Sequence, residues 1–136
     1  ATDGSKNALH AVKYAIQLLG RLSEGGSITL ISVHDDVALR HARRFVGKDA
    51  VADYLRELSE QDLGDARKAC DKAGVVHDMI IRTGHVATEI VEAAERGKFD
   101  LLVLGSKGRS ALKDLVIGSV AKRVAEISRV PVLLVK

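Results

Sequence analysis

The chain has 136 residues, of which 46% are hydrophobic, 29% charged and 3% aromatic, and its net charge is +3. This length and composition predict one globular domain spanning residues 1–136, with a single core. No apolar run approaches the roughly 20 residues of a membrane span, and no export leader is visible, so we expect a cytoplasmic protein that does not engage a membrane. The scarcity of aromatic residues and the small net charge argue against a nucleic-acid partner.

Helix-like and strand-like patterns alternate along the chain. Apolar residues at helical spacing predict helices over residues 8–19, 51–73, 86–94 and 120–127. Near-continuous apolar runs predict strands over residues 27–33, 76–82, 100–105 and 131–135, as in a parallel sheet covered on both faces. The sequence therefore predicts an α/β protein with a doubly wound parallel sheet.

The sequence also predicts where helices end and where a loop lies. Gly20 and Gly74 are expected to end the first two helices, and Gly97 is expected to be the left-handed cap of the third. The interval 34–48 is the most polar and is predicted to be a mobile loop. Cys70 is predicted to be a small buried thiol, and as the single cysteine it excludes an internal disulfide.

The start of the chain departs from this alternation. It opens on Ala1-Thr2-Asp3-Gly4-Ser5 and passes directly into the first helix. An α/β unit of this type begins with a strand, and Ala1 and Thr2 can supply only its end. We therefore expect a preceding strand of about five residues that is largely absent from this sequence.

The segment from Leu101 to Gly108, followed after nine residues by Gly118-Ser119, is the most informative part of the chain. An apolar strand ends in a glycine-rich turn, and a second Gly-Ser opens a helix. Glycines allow close backbone approach to an anion, and a helix N-terminus supplies free N–H donors. Residues 106–123 contain five basic residues and one acidic residue, a net +4 against +3 for the whole chain. This arrangement predicts a phosphate site.

Other catalytic and metal signatures do not appear in the sequence. The histidines lack the spacing of a zinc site, and neither a Walker phosphate loop nor a Gly-x-Gly-x-x-Gly turn is present. No general base stands near the glycine turn, and hydrolysis of a nucleotide needs an oriented water. We therefore assign no catalytic and no metal-ligating residue.

These residues resemble the universal stress protein family, in its ATP-binding branch. The family signature is Gly, two residues, Gly, nine residues and Gly-Ser or Gly-Thr, which Gly105, Gly108, Gly118 and Ser119 fit. Residues 1–5, 32–34, 82–84 and 130–135 resemble the ends of the family's strands in the same order. Val86, where members often have Pro, and Lys107, where they often have His, depart from the pattern.

The resemblance implies a fold and a binding site. The fold is an adenine nucleotide alpha hydrolase-like (HUP-type) sandwich with a five-stranded sheet in the order 3-2-1-4-5. The ligand is ATP, with Mg²⁺ held mainly by its phosphates. Asp3 and the Val33 backbone would approach the adenine and ribose, and the glycine turns would contact phosphate. The full set of implied binding residues is Thr2, Asp3, Val33, Gly105, Ser106, Lys107, Gly108, Arg109, Gly118, Ser119 and Val120.

Several of these residues have a plain structural explanation as well. Asp3 and Ser119 could each cap a helix, Val33 could be ordinary core, and Lys107 and Arg109 could be solvated.

The resemblance implies a nucleotide-dependent switch or sensor in the stress response, and three alternatives stay open. The chain could be a slow ATPase or nucleotide-using transferase, an interaction module that binds no nucleotide, or a binder of cyclic AMP. We also expect a homodimer through the last strand, from Val130 to Val135, because an apolar edge strand needs cover.

Overall fold

The computed structural model describes residues 1–22, 25–35, 37, 47–109 and 117–136. Helices and strands alternate through these residues, which confirms the predicted α/β class. Within the described part of the chain, no helix is long and apolar enough to cross a bilayer. The elements in chain order are α1 (Lys6–Leu22), β1 (Ile28–Asp35), α2 (Lys48–Ala73), β2 (His77–Gly84), α3 (Val86–Arg96), β3 (Leu102–Gly105), α4 (Ser119–Ile127) and β4 (Val132–Val135).

The strands form two parallel pairs. β1 pairs with β2 so that Ile28 lies opposite His77, and β3 pairs with β4 so that Leu102 lies opposite Val132. The first two residues of the chain lie between these pairs: the Thr2 N–H donates to the Ile31 carbonyl at 2.9 Å, and the Ala1 nitrogen donates to the Val103 carbonyl at 2.8 Å. This placement is compatible with the order 3-2-1-4-5. The five-strand order and the strand before Ala1 both stay predictions.

Helices cover the strands on two sides, as in a doubly wound sheet. One apolar cluster joins α1, β1 and α2, and it consists of Val12, Leu30, Leu63, Ala66 and Cys70. A second cluster joins α3, β3 and α4, and it consists of Ala87, Ile90, Val91, Ala94, Leu102, Leu104 and Val124. Cys70 is fully buried, which confirms the prediction, and burial raises the pKa of its thiol.

The predicted helix end at Gly20 is wrong, and Gly97 caps α3 as predicted but not in the left-handed conformation. α1 continues through Gly20 to Leu22, because a glycine ends a helix only when the chain turns there. Gly97 has φ −77° and stays right-handed, while Lys98 takes the left-handed conformation with φ 52°. A side chain at Gly97 would overlap the Phe99 ring, so contact with that ring explains the glycine. Gly74 is a left-handed cap with φ 65°, as predicted.

The predicted loop over residues 34–48 needs a partial correction. β1 continues to Asp35 because its pairing with β2 extends to Gly84, so His34 lies in a strand. α2 begins at Lys48. Residues 36 and 38–46 lie outside the described residues, and the prediction of mobility falls there.

The buried faces of two helices also differ from the predicted stripes. In α2 the buried residues include the polar Ser59 and Asp62, while Ala73 at its end is exposed. In α4, Val120 is 37% exposed and Ala121 is buried. The inward face of α2 meets polar residues of β1 and of the loop after β3, whereas α4 buries Ala121 and Val124 in place of Val120.

The two glycines that were expected to stop helices allow a matched test of packing. We expect Gly20→Ala to raise the free energy of unfolding by about 0.5–1 kcal/mol, because alanine favours the helix and nothing lies within 4 Å of its new Cβ. We expect Gly97→Ala to lower it by about 1–3 kcal/mol through overlap with Phe99. Urea unfolding of both variants measures the difference, and a stabilising effect at Gly97 would contradict this explanation.

Candidate functional site

The carboxyl ends of β1 and β3 lie on the same side of the two strand pairs, and a cavity of about 460 Å³ opens there. This volume falls in the usual range of small-molecule sites, roughly 300–1,000 Å³. Of the predicted binding residues, those that line the cavity are Thr2, Asp3, Val33, Gly105, Lys107, Gly108, Arg109, Gly118, Ser119 and Val120. Tertiary structure thus gathers residues from four separate segments around one space.

Ser106 is the predicted binding residue that does not line this cavity. It is 3% exposed, and its backbone is engaged on both sides. Its N–H donates to the Val135 carbonyl at 2.7 Å, and its carbonyl accepts the Gly118 N–H at 2.7 Å. Ser106 therefore ties the end of β3 to β4 and to the start of α4, which is a structural role.

The start of α4 faces the cavity without a side-chain cap. Gly118 occupies the N-cap position with φ −72° and ψ 157°, and no side chain among the described residues caps the helix there. Its carbonyl accepts the Lys122 N–H at 2.9 Å, the first bond of the helix. The next residues, Ser119 and Val120, line the cavity, and first-turn N–H groups have no partner within their own helix. These donors and the positive end of the helix dipole suit an anion.

The three glycines of the motif are required for different reasons. A Cβ at Gly105 would lie 3.0 Å from the backbone of Asn7, and one at Gly108 would lie 2.8 Å from Asp3 Oδ2. Packing against α1 and Asp3 therefore demands both of them. A Cβ at Gly118 would meet its nearest atoms at 3.5 Å, an ordinary contact distance. Neither packing nor backbone conformation requires glycine at position 118.

Asp3 holds the loop after β3 in place. Its Oδ2 accepts the Arg109 N–H at 2.9 Å, and its Oδ1 accepts the Ser5 N–H at 3.0 Å. Burial alone would raise the pKa of the Asp3 carboxyl. Hydrogen bonding to the Ser5 side chain and to the Arg109 and Ser5 N–H groups, together with the charge of Arg109, outweighs burial and brings that pKa below its usual value. The residue that caps α1 is Ser5, whose hydroxyl accepts the Ala8 N–H at 3.1 Å, so the explanation of Asp3 as the helix cap is wrong.

A polar cluster beside the cavity joins β1, α2 and the loop after β3. The buried Asp62 of α2 accepts hydrogen bonds through Oδ2 from Arg109 Nη2 at 2.9 Å and from Ser32 Oγ at 3.4 Å. His34 Nε2 lies 2.7 Å from Ser59 Oγ, one turn before Asp62. We call Ser32, His34, Ser59, Asp62 and Arg109 the polar cluster.

The sequence reading missed Ser59 and Asp62, although a signal for them exists. Both lie at helical spacing with Leu63, Ala66 and Cys70 on the buried face of α2. A carboxylate within an otherwise apolar helical stripe must have a partner, because an unpaired buried charge is very costly. Arg109 is that partner, and it lies 47 residues away in the sequence.

Lys107, the segment after Arg109 and a second cavity complete the surroundings of the site. Lys107 lines the cavity, and its carbonyl accepts a hydrogen bond from Asn7 Nδ2 at 3.3 Å. Most of the segment between Arg109 and Gly118, including Lys113, lies outside the described residues. A further cavity of about 120 Å³ between β1 and β3 is lined mainly by aliphatic side chains, and it offers little to a charged ligand.

His34 makes stability depend on pH. Burial lowers the pKa of its imidazole below the ordinary value of 6.5; Asp62 opposes this shift and Arg109 adds to it. An unfolded chain regains the ordinary pKa, so below pH about 6.5 it binds more protons than the folded one. The contribution of His34 is therefore complete above that pH and is lost as the pH falls through the lower folded pKa.

We expect His34→Gln to make the loss of stability between pH 7 and 5 shallower than in the wild type, because one buried titrating group is gone. Urea unfolding at several pH values measures the slope. His10→Gln, at an exposed position of α1, is the matched control and keeps the wild-type slope. A His34→Gln slope parallel to the wild type would contradict this account.

Comparisons with known proteins agree with one another. The model of the universal stress protein family matches residues 1–136. Universal stress protein MJ0531 of Methanocaldococcus jannaschii is 34% identical over 136 residues, covering 99% of this chain and 78% of that protein. Universal stress protein YxiE of Bacillus subtilis is 32% identical over 143 residues, covering 100% of this chain and 95% of its own.

Solved structures give the same result. The structure of M. jannaschii protein MJ0577, 28% identical, superposes with a TM-score of 0.85 and covers 99% of this chain and 91% of that one. A universal stress protein in complex with cAMP, 26% identical, superposes with a TM-score of 0.70 and covers 99% and 92%. With a family match over residues 1–136 and a shared fold, the chain belongs to the universal stress protein family.

Proposed function

We propose that the chain binds an adenine nucleotide, ATP in the first place, in the cavity at the carboxyl ends of β1 and β3. Binding would serve a nucleotide-dependent switch or sensor in the stress response. Membership of the family supports this proposal, as does the relative solved in complex with cAMP. That relative also makes cAMP a second candidate ligand of the same site.

The observation that carries the proposal is the glycine at position 118. Gly105 and Gly108 are explained by packing, but among the described residues a Cβ at position 118 would meet its nearest atoms at 3.5 Å, an ordinary contact. Its φ of −72° is open to any residue. Ser, Thr, Asp and Asn are the usual N-cap residues, so glycine forgoes a stabilising cap at this position. Close approach of a ligand to the backbone accounts for that choice.

Different cavity residues would contact the phosphates and the nucleoside of the ligand. The phosphates would lie against the N–H groups of Gly108, Ser119 and Val120, with the Ser119 hydroxyl as a further donor. Lys107 adds positive charge on the same side. Mg²⁺ would be carried by the phosphates and by water, which requires no dedicated protein ligand. The base and ribose would lie toward Asp3 and the backbone of Val33.

We expect Gly118→Val to weaken ATP binding at least about tenfold, or about 1.4 kcal/mol, because the side chain blocks approach of the phosphates. Titration calorimetry of the folded variant measures the effect. Gly64→Ala in α2, where nothing lies within 4 Å of the new Cβ, is the control and keeps the wild-type affinity. An unchanged affinity in a folded Gly118→Val protein would remove the site from consideration.

We also propose a homodimer through β4. Among the described strands, β4 pairs with β3 alone. The carbonyls of Pro131 and Val135 accept N–H groups on the β3 side, so by alternation the N–H and C=O groups of Val132 and Leu134 point to the outer edge. Exposed apolar edges are prone to pair, and two copies related by a two-fold axis would satisfy each other.

The dimer is tested with lysine substitutions on β4, where the interface is proposed, and on β2, where it is not. We expect light scattering at about 100 μM to give twice the monomer mass of 14.6 kDa, and Leu133→Lys to give monomers, because the two-fold axis brings like charges together. Val135 is 8% exposed, and lysine there would disrupt the core instead. Met79→Lys on β2, 46% exposed, is the control and stays dimeric. A monomeric wild type would refute the dimer.

A further inference from the structure

We propose that Asp62 sets how strongly this site discriminates between nucleotides with different numbers of phosphates, by keeping the Arg109 guanidinium away from the outer phosphates. The inference rests on the proposed nucleotide site and adds a residue that lies behind its wall. Asp62 is a positioning residue, since it acts through Arg109 and not by touching the ligand.

The first step is that Asp62 needs Arg109. The Asp62 side chain is 4% exposed, whereas that of Arg109 is 57% exposed. Among the residues that the structure describes, the side-chain donor to this carboxylate besides Arg109 is the neutral hydroxyl of Ser32, at 3.4 Å. A buried carboxylate that loses its cationic partner is strongly destabilised. The guanidinium therefore stays paired with Asp62, even though it is exposed to solvent and no burial of its own holds it there.

The second step is that Arg109 belongs to the cavity wall. Its backbone N–H is held by Asp3 Oδ2 at 2.9 Å, and the residue lines the same cavity as Gly108 and Gly118. Its side chain, however, runs from that wall to α2, where Nη2 meets Asp62 Oδ2 at 2.9 Å. An arginine in the phosphate loop is normally the group that would recognise phosphate by charge-assisted hydrogen bonds. Here the Asp62 carboxylate already accepts the hydrogen bond that the guanidinium could otherwise donate to a phosphate.

The third step concerns the ligand. AMP would place one phosphate against the N–H groups of Gly108, Ser119 and Val120, a contact that does not use the Arg109 guanidinium. The β- and γ-phosphates of ATP add negative charge that a free guanidinium would attract and a paired one attracts less. The pairing therefore narrows the difference between the affinities for ATP and AMP. Release of Arg109 should widen it.

The experiment is a double-mutant cycle read as the ratio of ATP to AMP affinity, measured by calorimetry. Asn is the uncharged isostere of Asp, so Asp62→Asn should raise the ratio about tenfold, the size of one charge-assisted hydrogen bond. Arg109→Gln should lower the ratio about tenfold more in the Asp62→Asn protein than in the wild type. A merely structural role of Asp62 predicts additive effects, with no such coupling.

Two comparisons keep the result unambiguous. Asp65→Asn, on the exposed side of α2 where the carboxylate contacts Lys68, changes net charge equally and should leave the ratio unchanged. If Asp62→Asn does not fold, NMR of the Arg109 guanidinium in the wild type decides: its signals should stay unchanged when AMP or ATP is added. A strong shift with ATP, or additive variants, would overturn the inference.

The outcomes separate the inference from the proposed function. A wild type that binds neither ATP nor AMP would overturn both. A wild type that binds them, with an unchanged ratio in a folded Asp62→Asn protein, would overturn the role of Asp62 alone.

Discussion

Parallel strand pairing is the constraint on which the candidate site depends. β1 pairs with β2 and β3 with β4 in parallel, and the carboxyl ends of β1 and β3 line the same cavity. The first residues turn into α1 at that same place, since Thr2 bonds to Ile31. Segments far apart in sequence thus meet around one cavity. The polar groups of these segments are partly buried there and therefore need hydrogen-bond or charged partners.

Two carboxylates supply several of these partners. Asp3 holds the backbone of Arg109 and Asp62 holds its guanidinium, so one residue of the loop is fixed at both ends. Exposed ion pairs contribute about 0–1 kcal/mol, whereas removing a partner from a buried pair costs about 3–5 kcal/mol. The Asp62 pair lies between these limits, since one partner is buried and the other is screened by solvent. The arrangement orients the loop and at the same time occupies its arginine.

The glycine motif illustrates how one spacing pattern can combine separate physical requirements. Gly105 and Gly108 leave room for Asn7 and Asp3, which are parts of the folded protein, while the cavity beside Gly118 leaves room for something else. A spacing motif reports that glycine is needed at each position and says nothing about what approaches it. The distances around each missing Cβ separate packing from binding.

The sequence by itself determined the alternation of helices and strands and the bounds of the strands within two residues. These follow from apolar periodicity, which is a local property of the chain. The glycine spacing pointed to the turns after β3 and before α4, and the resemblance to the family implied the other predicted residues that line the cavity. The sequence misplaced the end of α1 at Gly20 and the backbone conformation of Gly97, because both depend on what the next residues contact, such as the Phe99 ring. The tertiary structure alone decided that Asp62 meets Arg109. The physical reason is that a contact across 47 residues depends on which face of α2 turns toward the sheet, and that rotation is set by packing between elements.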